Sequence, residues 1–158
     1  MEPIQQTQPI AQTPDTTPLS ETQMPTAQPQ AVATPTGRKV LCIEDEHFIS
    51  ELYARALGKA GYTVTILNDG QKGLEAAQTN EFDIILLDLM VPTITGIEIL
   101  EALRNTEKTP NFKAKIIITT NLEQREDVRA AIEKQADGYL VKAELTPREL
   151  AIFVGTIK

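Results

Sequence analysis

Cysteine, histidine and tryptophan are almost missing from this sequence, which excludes several kinds of site. The 158 residues contain one cysteine, one histidine and no tryptophan. Cys42 cannot form a disulfide within the chain, and its place in an apolar run predicts a small buried side chain rather than a reactive thiol. The single histidine excludes a His-rich metal site, and it also excludes a nucleophile paired with histidine unless His47 itself serves.

Long hydrophobic runs are also missing. No apolar segment approaches the roughly 20 residues that are needed to cross a membrane. The N-terminus lacks the basic and apolar regions of a signal peptide, so we expect a cytoplasmic protein with no membrane contact. The formal net charge of −7 argues against direct binding of nucleic acid by the domain.

The first 36 residues differ in composition from the rest of the chain. They hold seven Pro, eight Thr and seven Gln, with only three charged side chains. Such a segment cannot bury enough apolar surface to offset the entropy lost on ordering. We therefore expect a disordered tail over residues 1–37, followed by one domain over residues 38–158. The tail could be a tether, a partner-binding arm, or a segment that contributes nothing beyond solubility.

The remaining residues alternate between strand-like and helix-like patterns. Strands are predicted at 39–43, 63–67, 83–88, 115–119 and 138–141, and helices at 47–60, 70–79, 96–105, 123–135 and from 146 onwards. The third strand is an unbroken Ile/Leu run, typical of a strand buried on both faces. This alternation predicts an α/β fold, namely a flavodoxin-like, doubly wound parallel sheet of five strands in the order 2-1-3-4-5.

Polar side chains follow the central strands at the points where these strands end. Strand one ends in Glu44-Asp45-Glu46, strand three in Asp88, strand four in Thr120-Asn121 and strand five in Lys142. Carboxyl ends of parallel strands meet at one edge of the sheet, and strands one and three are neighbours, so Glu44, Asp45 and Asp88 should converge and repel one another. Mg²⁺ would resolve that repulsion, because it prefers hard oxygen ligands.

A hydroxyl and an ammonium beside these acids fit an anionic group that arrives on Asp88. Phosphoryl is the obvious candidate, with Asp88 as the carboxylate nucleophile and Lys142 as a neutralising charge. Each residue also has a simpler interpretation. The acids could favour the N-terminus of the next helix, Thr120 could cap helix four, and Lys142 could be solvated. Coincidence at four strand ends is much less probable than at any one of them.

The combined pattern resembles the response-regulator receiver domain, the phosphoacceptor of bacterial two-component signalling. The resemblance covers residues 38–158 and rests on the runs Val40-Leu41-Cys42-Ile43-Glu44-Asp45-Glu46, Asp83 to Gly96 with Pro92, Ile116 to Thr120, and Gly138-Tyr139-Leu140-Val141-Lys142. It implies that Asp88 is phosphorylated. It also implies that Mg²⁺ is bound by Asp45, Asp88, Glu44 (through water) and the backbone carbonyl of Met90. Thr120 and Lys142 would then contact the phosphoryl group, and Thr120 and Tyr139 would form the switch.

Some residues depart from the family pattern. Asn121 stands where the family often has a small residue, so its side chain should narrow the mouth of the pocket. Ala143 follows Lys142 where the family usually has proline. Apolar Met90 and Leu122 cannot orient an attacking water, which predicts a long-lived phosphoaspartate. A phosphatase of the haloacid-dehalogenase type would need a second acid two residues after Asp88, where Met90 stands.

The resemblance implies a stand-alone receiver, because Lys158 ends the last helix and no output domain follows in the sequence. The expected phosphodonor is a sensor histidine kinase or a phosphotransfer protein. The expected output is docking of an unknown protein target to the face formed by helix 4, strand 5 and helix 5, or an action of the N-terminal tail. The alternative is a phosphorylation-independent docking module that keeps the pocket without using it.

Overall fold

Residues 36–121 and 124–158 are described in a computed structural model of the protein. The tail predicted over residues 1–37 therefore lies outside the described residues, apart from its last two. Leu122 and Glu123 also lie outside them, and with them the predicted start of helix four.

Five parallel strands form one sheet. They are β1 (Lys39–Ile43), β2 (Thr63–Leu67), β3 (Ile84–Asp88), β4 (Lys115–Thr120) and β5 (Gly138–Val141). Their spatial order is β2-β1-β3-β4-β5, with β1 and β3 side by side in the middle. This order confirms the predicted flavodoxin-like topology. The third strand is buried along its whole length, as its unbroken Ile/Leu run indicates.

Helices connect the strands. They are α1 (His47–Lys59), α2 (Gly70–Gln78), α3 (Gly96–Arg104), α4 (Glu126–Glu133) and α5 (Pro147–Thr156), with a short 3-10 turn at Lys142–Glu144. The starts of α3 and α5 are fixed by capping boxes, Thr95 with Glu98 and Thr146 with Glu149. Helix α4 is shorter than predicted and its start has no capping side chain.

Two hydrophobic clusters cover the two faces of the sheet. Alternate strand residues point to opposite faces, so Leu41 and Ile43 lie in one cluster while Val40 and Cys42 lie in the other. The first cluster packs under α2, α3 and α4, and the second under α1 and α5. Cys42 is a buried side chain of the core, as predicted.

Close packing of α2 on the sheet depends on a glycine. A Cβ on Gly73 would stand 2.7 Å from Cδ1 of Ile43, the last residue of β1. The helix therefore lies directly against the strand that precedes the acidic run, which restricts the path of the chain at that edge.

Among the described helices, none is long and apolar enough to cross a membrane.

Candidate functional site

The carboxyl edge of the sheet brings together an aspartate, a glutamate and a lysine from three different strands. Lys142 Nζ lies 2.8 Å from Asp88 Oδ2 and 2.5 Å from Glu44 Oε2. All three side chains are almost completely buried. Lys142 is therefore not a solvated surface lysine, and the predicted convergence of strand ends one, three and five is confirmed.

Burial and mutual contact shift the pKa values of Glu44 and Lys142. Burial raises the pKa of the Glu44 carboxyl to about 7, although the Lys142 hydrogen bond opposes the change. Burial alone would lower the pKa of Lys142, but its hydrogen bonds to Asp88 and Glu44 outweigh this effect and the pKa is raised. The lysine therefore remains an ammonium at neutral pH, placed between two buried acids.

A third acid completes the cluster, and it is not the predicted one. Carboxylate oxygens of Glu44, Glu46 and Asp88 lie within 4.8 Å of one another. Asp45 is exposed and does not belong to this group in the described part of the chain. The Glu46 N–H donates to Glu44 Oε1 at 3.1 Å, so the turn after β1 directs Glu46 toward the cluster. The assignment of Asp45 as a metal ligand stays a prediction.

Glu46 also links the site to β4. Asn121 Nδ2 donates to Glu46 Oε1 at 2.7 Å, and the same oxygen lies 3.7 Å from Lys142 Nζ. This bond spans the ends of β1 and β4 at the mouth of the site, where the sequence predicts a narrowing by Asn121. The partner, Glu46, could not be chosen from the sequence, because three consecutive acids offer equivalent carboxylates.

The loop after β3 places the backbone of Met90 beside the aspartate. The Met90 N–H donates to Asp88 Oδ1 at 3.1 Å, while the Met90 side chain is 65% exposed. Lys142 contacts the other Asp88 oxygen. The backbone and the ammonium therefore fix the orientation of the carboxylate from two sides.

Thr120 and Tyr139 lie on neighbouring strands next to this cluster. Thr120 is the fully buried last residue of β4 and pairs in register with Val141. Helix α4 begins after Arg125, so Thr120 does not cap it. Tyr139 is half-buried, and its ring centre lies 4.9 Å from the Arg129 guanidinium carbon. The tyrosine therefore connects β5 to α4.

These residues fit a divalent cation. Hard carboxylate oxygens converge at the sheet edge. Burial raises the pKa of Glu44 to about 7, and a nearby cation would lower it again by stabilising the ionised carboxylate. Mg²⁺ usually binds through one or two carboxylates and keeps several of its water ligands. The donor set therefore suits Mg²⁺ better than softer metals.

The family model of the response regulator receiver domain matches residues 40–153. The chain belongs to the response regulator receiver domain family. Response regulator ArlR of Staphylococcus saprophyticus is 40% identical over 104 residues, which are 66% of this chain and 45% of that protein. This receiver thus spans about half the length of the curated relatives that it matches.

Solved structures agree with this assignment. The receiver domain of Francisella response regulator 1452 superposes with a TM-score of 0.65 at 29% identity, covering 75% of this chain and 94% of that one. The chemotaxis response regulator CheY4 of Vibrio cholerae has a TM-score of 0.65 at 30% identity, covering 76% and 98%. Receivers are signalling domains of two-component systems that typically bind Mg²⁺.

Proposed function

We propose that the protein is a phosphoacceptor of a two-component phosphorelay, in which Asp88 accepts a phosphoryl group from a histidine kinase or a phosphotransfer protein. The observation that supports this best is the buried Asp88 carboxylate, oriented by Lys142 Nζ at 2.8 Å and by the Met90 N–H at 3.1 Å. The similarity to response regulators supports a phosphohistidine as the donor.

The transfer exchanges one phosphorus bond for another. An Asp88 oxygen forms an O–P bond while the N–P bond of the phosphohistidine breaks, and its electron pair remains on the imidazole nitrogen. Lys142 carries a positive charge next to Asp88 and can neutralise the phosphoryl oxygens. The Thr120 hydroxyl, at the end of the adjacent strand, donates to a phosphoryl oxygen.

Mg²⁺ would be held by Asp88, Asp45, Glu44 through water, and the backbone carbonyl of Met90, with Glu46 as a further ligand offered by the geometry. When bound, Mg²⁺ supplies positive charge to the transferring oxygens. The carboxylates of Glu44, Glu46 and Asp88 would hold that charge beside the phosphoacceptor, and Lys142, which contacts Asp88 Oδ2, adds a second positive charge there.

The output is a changed surface. Movement of Thr120 toward the phosphoryl group frees space for Tyr139 to turn inward, which biases the face formed by α4, β5 and α5 between two arrangements. The contact between Tyr139 and Arg129 supports this proposal, since a turn of the ring would remove a link between β5 and α4. The face would then dock a downstream protein.

The phosphoacceptor is tested by intact mass after incubation with acetyl phosphate, with and without Mg²⁺. We expect the wild type to gain one phosphoryl group only when Mg²⁺ is present, and Asp88→Asn to gain none, because an amide is not a nucleophile for phosphorus. Asp45→Asn should raise the Mg²⁺ concentration required for half-maximal phosphorylation.

Asp127→Asn, which removes an exposed acid on α4, is the matched control and should behave as the wild type. If the wild type binds Mg²⁺ but takes no phosphoryl group from acetyl phosphate or from any histidine kinase offered, the phosphoacceptor proposal is wrong. The phosphorylation-independent docking module would then be the better explanation.

A further inference from the structure

The loop between β3 and α3 contains a backbone conformation that its residue type rarely adopts. Thr93 has a φ of 77°, in the left-handed region. A β-branched residue with positive φ is an outlier, because its branched side chain crowds the backbone there. Such conformations persist only where the surroundings determine them, and they concentrate at functional sites.

The surroundings that hold Thr93 are the first residues of α2. The Thr93 hydroxyl donates a hydrogen bond to Asp69 Oδ2, while Asp69 Oδ1 accepts from the Lys72 N–H at 3.0 Å and so caps α2. Next to this bond, the Gly70 N–H donates to the Pro92 carbonyl at 3.0 Å. The hydrogen bonds from Thr93 and Lys72 lower the pKa of Asp69, which keeps it an ionised acceptor at neutral pH.

The backbones of α2 and the loop are in direct contact. A Cβ placed on Gly70 would stand 2.3 Å from the Ile94 carbonyl oxygen. At the other end of the loop, the Gly96 N–H donates to the Leu89 carbonyl at 3.0 Å, and a Cβ there would stand 2.2 Å from the Asp88 carbonyl oxygen. Both ends of the segment 89–95 are therefore fixed, and the path between them passes through Met90.

We propose that Asp69 and Thr93 are positioning residues for the phosphoacceptor site. Their hydrogen bond holds the segment 89–95 in the path that keeps the Met90 N–H on Asp88 and presents the Met90 carbonyl to a divalent cation. The part that concerns the cation rests on the proposed function. The part that concerns the Met90 amide can be measured in the metal-free protein.

Three variants separate the hydrogen bond from shape and capping. Thr93→Val keeps the branched shape and loses the donor, and Thr93→Ser keeps the donor. Asp69→Ser still caps α2, because serine is a good capping residue, but its side chain is too short to serve Thr93 as well. Thr79→Val is the matched control, since the Thr79 hydroxyl bonds within its own helix end, to the Ala76 carbonyl.

Two quantities are measured on the full chain. The first is the hydrogen-exchange rate of the Met90 amide without metal, and the second is the Mg²⁺ dissociation constant from calorimetry. For Thr93→Val and Asp69→Ser we expect both the exchange rate and the dissociation constant to rise roughly 3- to 10-fold, the change that one hydrogen bond supports. Thr93→Ser and Thr79→Val should stay within about 2-fold of the wild type by the same measure.

The two possible failures are distinguishable. A wild type that binds no Mg²⁺ and forms no phosphoryl adduct overturns the proposed function, and with it the role of this pair toward a cation. A wild type that does both, while Thr93→Val and Asp69→Ser match it in exchange and in affinity, overturns the positioning role alone. Circular dichroism melts of the same samples show whether any variant has lost its fold.

Discussion

At the scale of single residues, the length of Lys142 explains why a lysine occupies this place. It follows β5, and its Nζ reaches Asp88 on β3, two strands away, and Glu44 beyond β1. Neighbouring strands are about 4.8 Å apart, so a short polar side chain at this position could not span the gap. The long stem crosses the edge of the sheet, and the ammonium joins two acids that would otherwise repel each other.

Asn121 should slow access to Asp88. Its hydrogen bond to Glu46 lies across the mouth of the site, so Asn121→Ala should raise the rate of phosphorylation by acetyl phosphate by roughly 2- to 10-fold, which corresponds to the loss of one hydrogen bond. The rate of dephosphorylation should rise by a similar factor, because water enters by the same route. Both rates are measured by intact mass over time.

Asn111→Ala is the control for this prediction, because it removes another exposed asparagine, in the connection between α3 and β4. It should leave both rates unchanged. Equal rates in Asn121→Ala and the wild type would show that the bond to Glu46 does not limit access.

At the scale of elements, one aspartate joins α3, β4 and the start of β5. Asp137 Oδ2 accepts from the Ile116 N–H at 2.8 Å and from Arg104 Nη2 at 2.5 Å, and Lys115 Nζ lies 3.4 Å from Oδ1. Burial would raise the pKa of Asp137, but these hydrogen bonds and positive charges outweigh it and the pKa is lowered. The ionised carboxylate is therefore part of the folded junction.

Asp137→Asn should reduce stability in a pH-dependent way. A carboxyl whose pKa is lowered on folding stabilises the protein above its unfolded pKa, and this contribution is lost as the pH falls through the folded pKa. We expect a loss of about 1 kcal/mol in the free energy of unfolding at pH 7, after allowance for partial exposure, and a smaller difference below about pH 4. Urea melts at several pH values measure it.

Glu51→Gln is the control for the pH series, because Glu51 forms an exposed pair with Arg55 at 3.9 Å and should contribute little at any pH. A difference between Asp137→Asn and the wild type that stays constant from pH 7 to pH 3 would contradict the charged role of Asp137.

The same elements show how far the sequence could be interpreted. Strands and most helices were predictable because buried Ile/Leu runs and capping residues mark them, as at Thr95 and Thr146. The bounds of helix α4 were less predictable, because it begins after Arg125 without a capping side chain and Ile132 is its one buried residue. Strong local signals gave correct boundaries, and weak ones did not.

The site follows the same rule. Convergence of Asp88 and Lys142 could be predicted because the strand order places their ends at one edge. The choice between Asp45 and Glu46 could not, because it depends on the turn that the backbone makes before α1. Nor could the positive φ of Thr93, which its residue type disfavours and which depends on a partner 24 residues away.

At the scale of the whole molecule, the described domain begins with contacts rather than with a free end. The Thr36 N–H and hydroxyl both donate to the Gly61 carbonyl at 3.1 Å, and Arg38 Nη1 donates to the Ile157 carbonyl at 2.6 Å. The arginine links the start of β1 to the end of α5, the first element of the domain to the last. The predicted boundary between residues 37 and 38 falls inside this set of contacts.

Removal of residues 1–35 should therefore leave the melting temperature and the Mg²⁺-dependent phosphorylation as they are in the full chain. Removal of residues 1–38 should lower the free energy of unfolding by about 1–2 kcal/mol, because the bonds to Gly61 and Ile157 are lost. Arg38→Ala in the full chain separates the second bond from the first. A clear loss of stability when only residues 1–35 are removed would show that the folded domain extends further toward the N-terminus than the sequence predicts.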